Sequence, residues 1–155
     1  MKTVGDGAFR REDLNSRSND MTYSGALSFL RRKYSRDLNG VDVAVTGIPY
    51  DCATSNRPGA RFGPRGIRSA STELASLDAF PFNFDPFKYL AVVDYGDVWL
   101  DYGYPQKVVE KVEKHADTIL KQSTSLLSLG GDHFITYPLL LSHYKVHGPI
   151  SLIHF

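Results

Sequence analysis

The sequence predicts an α/β domain built on a parallel sheet, and three observations carry that expectation. Short valine- and leucine-rich runs alternate with longer segments of helical periodicity, the order that right-handed crossovers turn into parallel strands. The apolar runs alternate only incompletely with polar residues, as strands covered on both faces do. Several runs end in glycine, proline or a carboxylate, which gathers chemically useful residues past the carboxyl ends of the strands, where open α/β sheets bind ligands.

In chain order, residues 1–40 are polar, of mixed charge and weakly patterned. They read as an N-terminal arm packed over the domain of residues 41–155 or over a neighbouring subunit. Within the arm, Ala26–Leu30 is expected to make a helical turn or a docking segment, and Arg31-Arg32-Lys33 a solvated face. Val41–Tyr50 is the first strand, stopped by Gly47 and Pro49. After a loop from Asp51 to Phe62, Gly63-Pro64 opens a helix, with proline where its missing N–H costs little. Ile67, Ala70, Leu74 and Leu77 are spaced to give that helix one buried stripe.

Phe80–Phe87 is aromatic and punctuated by proline, a loop expected to be pinned by ring packing. Leu90–Val98 is the second strand, with Asp94 and Asp97 near its carboxyl end and expected to bond loop backbone. From Pro105 to Gln122, Val108, Val109, Val112, Ala116, Ile119 and Leu120 make one helix face, and Lys107, Glu110, Lys111, Glu113 and Lys114 the other. His115 in this helix reads as a partly exposed spectator. The third strand, Ser125–Leu129, is expected to be buried. A helix from Thr136 to about His147 and a fourth strand, Ile150–Phe155, complete the order.

With 155 residues, 42% hydrophobic and 23% charged, the chain has the balance of one soluble globular domain. A net charge of +1 gives no reason to expect nucleic acid or an anionic membrane as partner. The lone cysteine, Cys52, cannot form an intrachain disulfide; a reducing compartment and a packing role follow. No apolar stretch is long enough to span a bilayer. The first twenty residues have no apolar core and carry Asp6, Glu12, Asp13 and Asp20, which argues against a signal or transit peptide. The cytoplasm is the expected location. Nucleotide binding is disfavoured, because no G-x-G-x-x-G follows the first strand and there is no Walker A pattern.

The candidate site lies where the third strand breaks, at Gly130-Gly131-Asp132-His133. The glycines let the backbone turn sharply or approach a ligand, and a carboxylate and an imidazole follow at the sheet's functional end. Taken alone, the pair also suits an ordinary loop, and one titratable ring cannot hold a divalent ion without further N or O ligands.

Read together, four stretches resemble the ureohydrolases, the arginase and agmatinase family. They are Gly47-Ile-Pro-Tyr-Asp51, Arg57-Pro-Gly-Ala-Arg-Phe-Gly-Pro-Arg-Gly-Ile-Arg68, Asp94-Tyr-Gly-Asp97 and Leu129-Gly-Gly-Asp-His133. Ser28-Phe-Leu-Arg-Arg-Lys-Tyr34 and Phe82-Asn-Phe-Asp85 look closer to the bacterial agmatinase branch than to arginase. The resemblance implies a three-layer α/β/α domain and hydrolysis of a guanidinium group, agmatine giving putrescine and urea. It implies a pair of Mn²⁺ ions bridged by hydroxide, with His133 as a ligand and Gly130, Gly131 and Asp132 supporting it. It implies no catalytic residue within this stretch, and a trimer or hexamer when full length.

The family's Asp-Ala-His-x-Asp motif would begin directly after Phe155, and its later Asp-x-Asp motif is likewise absent. The chain is therefore expected to be the N-terminal part of such an enzyme, incomplete at the C-terminus and inactive alone. The alternatives are a non-catalytic remnant acting only by subunit association, and a ureohydrolase for another guanidino or formimino substrate.

Overall fold

A parallel sheet organises the chain. The computed structural model describes residues 8, 14, 22–75 and 78–155. Within them, β1 (Lys33–Tyr34), β2 (Val43–Ile48), β3 (Val92–Asp97) and β4 (Ser125–Gly130) lie in the order β1-β3-β2-β4. Each pairing is parallel, β2 running beside β4 in unbroken register from Val43–Ser125 to Ile48–Gly130. Three α-helices with described bounds accompany the sheet: α1 (Gly63–Ser71), α2 (Val108–Leu120) and α3 (Thr136–His147).

The alternation of β2 explains the layers. Val45 packs with Phe87, Val92 and Leu129 and against Phe29 and Leu30 of the arm, and Gly47, on the same face, abuts Pro64 of α1. On the other face, Ala44 packs with Val93, Tyr95 and Ile119 of α2. Ile48 lies there too, with Val108 and Val112 of α2, Ile135, and Leu139 of α3. The Phe29–Arg31 turn and α1 thus cover one face, and α2 and α3 the other, where Leu14 and Leu38 of the arm also pack. Handedness requires this: β2 to β3 steps one way along the sheet and β3 to β4 steps back across β2, so two right-handed crossovers fall on opposite faces.

The arm is not irregular throughout, since Lys33–Tyr34 adds a strand beside β3. Ala26–Leu30 gives the expected turn, a 3₁₀ turn over Phe29–Arg31. Arg31 and Arg32 do not form a solvated face; both are buried. Arg31 donates to the carbonyls of Ala26 and Ser24, and the Arg32 guanidinium lies 3.8 Å from the centroid of the Phe87 ring, where a cation gains from the ring quadrupole.

Helix α1 stops at Ser71 and passes into a 3₁₀ turn, Thr72–Leu74. Its buried residues are Pro64, Arg68 and Ser71, while Ile67 and Leu74 face solvent; Leu77 lies outside the described residues. One residue turns a helix by about 100°, and the ion pairs of Arg68 set the rotation at the expense of the expected apolar stripe. The aromatic loop packs Phe84 against Phe82 and Tyr89 and buries Phe87, yet leaves Phe80 and Phe82 exposed.

Helix α2 buries its expected face at Val108, Val112, Ala116, Ile119 and Leu120. His115 there is no spectator. Thr46 Oγ1 donates to the Gly96 carbonyl at 2.7 Å, so the 2.7 Å contact with His115 Nε2 uses the ring N–H as donor. Strand β4 is only half covered, with Leu129 its one buried residue, because it borders the sheet. Ile150–Phe155 is not a strand: it carries no ladder pairing among the described residues and is exposed. A strand exists by its ladder, and this segment instead brings His154 to the end of β4, where it stacks on His133.

Candidate functional site

Neighbouring strands β2 and β4 send their following loops to opposite faces of the sheet, one to α1 and the other to α3. Such a divergence opens a crevice at the carboxyl ends of the two strands. Its walls are the loop after Ile48, the loop after Gly130 and the segment after β3.

Gly131 knits the crevice together. Its φ of +69° favours glycine, and a Cβ there would run into the carbonyl oxygens of Ile48 and Tyr50. The Asp132 amide donates to the Tyr50 carbonyl at 2.7 Å. Both Asp132 carboxylate oxygens are engaged in turn. Oδ2 accepts the Ala53 amide at 2.8 Å and Oδ1 the Phe134 amide at 3.0 Å. Asp132 caps the 3₁₀ turn His133–Ile135 and ties it to the loop after β2.

That loop has its own anchor in Asp51, which is buried. It accepts the Gly59 amide at 2.7 Å, the Arg61 amide at 3.3 Å and Arg61 Nε at 2.7 Å. The Arg61 side chain, helped by these amides and opposed by burial, holds the Asp51 carboxyl down to about 2. The Arg61 guanidinium also sits 4.3 Å from the Tyr102 ring centroid. Tyr102 stacks on Tyr50 at 6.4 Å, and Tyr50 meets Phe134 at 5.9 Å, giving the crevice an aromatic wall. Cys52, beside Asp51, is exposed rather than packed.

Behind the crevice, Arg68 reaches from α1 to β3. Its Nε and Nη2 meet the two oxygens of fully buried Asp94 at 2.7 and 2.9 Å, and Nη1 meets Asp97 at 2.6 Å. Burial pulls the Arg68 guanidinium down, and its two carboxylate partners outweigh that, leaving it above its ordinary value. Asp94 also accepts the Phe29 amide at 2.7 Å and the Gly96 amide at 3.0 Å, so it bonds backbone as expected and additionally anchors the arm.

His133 itself is exposed at the crevice mouth, its ring centroid 5.1 Å from that of His154. Gly130, Gly131, Asp132 and His133 are thus together, but only His133 has a side chain free to face a ligand. The sequence reading did not single out Asp51, Arg61 and Arg68, which brace the crevice through their ion pairs. The available signal was an acid directly after a strand-ending Pro-Tyr, followed by arginines in a glycine-rich loop.

A sequence profile described as the arginase family matches residues 41–155. The chain belongs to the arginase family. The agmatinase of Chromobacterium violaceum is 53% identical over 152 residues, 97% of this chain and 47% of that protein. The crystal structure of a hypothetical agmatinase from Burkholderia thailandensis superposes with a TM-score of 0.94 at 53% identity, covering 97% of this chain and 48% of that one. Proclavaminate amidino hydrolase from Streptomyces clavuligerus superposes with a TM-score of 0.76 at 34% identity, covering 84% and 43%. This arginase-family chain therefore spans about half the length of the relatives it matches. The likeness confirms the parallel-sheet α/β fold.

The donors among the described residues do not by themselves make up a metal centre. Among the described residues no group of three or more His, Cys, Asp or Glu is placed to hold an ion. Manganese favours carboxylate oxygens, and those of Asp51 and Asp132 are spent on loop amides and Arg61.

Proposed function

We propose that this chain carries the amino-terminal part of an agmatinase-type ureohydrolase, for which agmatine and water give putrescine and urea. The 53% identity to an agmatinase across 97% of the chain is the observation that carries the reading. In it, His133 is one metal ligand of a manganese enzyme, and the remaining ligands come from sequence that this chain lacks. Gly130, Gly131 and Asp132 fix where His133 stands, because they turn the strand end and spend the carboxylate on backbone. The Asp51–Arg61 pair and the aromatic wall hold the lip of the crevice. The proposal includes a cytoplasmic location and a trimer or hexamer at full length; no helix among the described residues is long and apolar enough to cross a membrane.

A second reading keeps the chemistry and exchanges agmatine for another guanidino or formimino compound, and the 34% identity to an amidino hydrolase favours it. Urea release, with formamide release for formimino compounds, decides. The purified chain with Mn²⁺ is expected to release none from agmatine. The same sequence continued by the carboxy-terminal half of the Chromobacterium violaceum agmatinase is expected to release it, and His133→Ala to abolish that release. Urea from the short chain would overturn its inactivity; a fusion that turns over other guanidines but not agmatine would establish the second reading.

A further inference from the structure

Away from the crevice, two imidazoles stand next to each other on one helix. His143 and His147 lie four residues apart on α3, one turn, so their side chains share a face. Their ring centroids are 5.8 Å apart and their planes meet at 28°. His143 is half-buried and His147 exposed, and neither ring has a hydrogen-bond partner among the described residues. Burial, and then the neighbouring His147, hold His143 below its ordinary pKa, so at neutral pH it offers a lone pair.

We propose that His143 and His147 chelate one divalent late-transition-metal ion, Zn²⁺, Ni²⁺ or Cu²⁺, through one nitrogen each. Imidazole suits these ions, whereas Mn²⁺ favours oxygen ligands. Metal–nitrogen bonds of about 2.0–2.1 Å put each ring centre about 3.2 Å from the ion, so a tetrahedral ion holds the two centres about 5 Å apart. The observed centroid separation, 5.8 Å, is close to that value. No third protein donor stands nearby among the described residues, so water fills the other positions and the ion exchanges. The pair lies about 15 Å along α3 from the crevice, at 1.5 Å per residue, and rests on no assumption about the chain's activity.

The test is a Zn²⁺ titration of the full chain, following the histidine ring resonances by NMR. His143 and His147 are expected to move together with a one-to-one end point. His147→Gln should raise the His143 midpoint about tenfold or more, because the second imidazole acts at high effective concentration. His133→Gln should leave that midpoint where it was. An unchanged His143 midpoint in His147→Gln overturns the proposal. So does binding that moves only His133 and His154, the other imidazole pair. Both substitutions fall on exposed positions, so the fold is expected to survive either.

Discussion

Replacing Arg68 with methionine tests the packing argument most directly. The unbranched stem is kept to the position of Nε and the charged guanidinium is removed, leaving Asp94 fully buried without its bidentate partner. Removing one member of a buried ion pair costs about 3–5 kcal/mol, because the remaining charge is stranded. Asp94 retains the Phe29 and Gly96 amides as donors, which places the expected loss at the lower end, about 3 kcal/mol. Urea unfolding followed by circular dichroism measures it as a shift in midpoint at unchanged slope. Arg68→Met with Asp94→Leu removes both charges, and the double variant is expected to be more stable than Arg68→Met alone. A loss below about 1 kcal/mol, or a double variant less stable than the single, would refute the reasoning: Arg68 would then be a solvated residue without a structural debt to Asp94.

Three further outcomes follow from the same structure. Burial, with Arg36 adding and Asp97 opposing, holds His115 down to about 4. Between that value and the ordinary 6.5 the unfolded chain binds more protons, so stability is full above pH 6.5 and falls as pH drops toward 4. The ceiling is about 3.4 kcal/mol at 1.36 per pH unit, and partial exposure cuts it to on the order of 2; urea midpoints at pH 7.5 and 5 should converge in His115→Gln if the group is correctly chosen. Gly131→Ala forces a side chain onto a backbone at φ +69° and into two carbonyls, an expected loss of about 2–4 kcal/mol by thermal unfolding. Asp132→Ala should cost about 1 kcal/mol as a lost cap and His133→Ala less than about 0.5; equal costs would mean His133 is structural.

The sheet was legible because its evidence is local and repeated. Val43–Ile48 and Val92–Asp97 sit inside the expected apolar runs and Ser125–Gly130 runs one residue past its own, and α2 buries the face its periodicity marked. What sequence did not show depends on partners far away along the chain. Arg32 and Arg68 look like surface residues until Phe87, Asp94 and Asp97 are placed beside them. A helix stripe of Ile67 and Leu74 loses to an ion pair that periodicity cannot register. Ile150–Phe155 fails for the opposite reason: its composition suits a strand, but pairing is not a property of composition. At the crevice, the glycine break and its acid were legible from residue type, whereas the inward turn of Asp132 depends on the amides of Ala53 and Phe134.

The bond from the Phe29 amide to Asp94 spans 65 residues, and the one from the Leu30 amide to Ser71 spans 41. A ribosome adds about 5–20 residues each second, so the docking turn is made about 3–13 seconds before Asp94. Through that interval the turn has no cradle. An arm rich in leucine would spend those seconds as a sticky end, open to other nascent chains. One whose later-buried positions are arginines stays hydrated until β3 and α1 exist, and only then gives up its water.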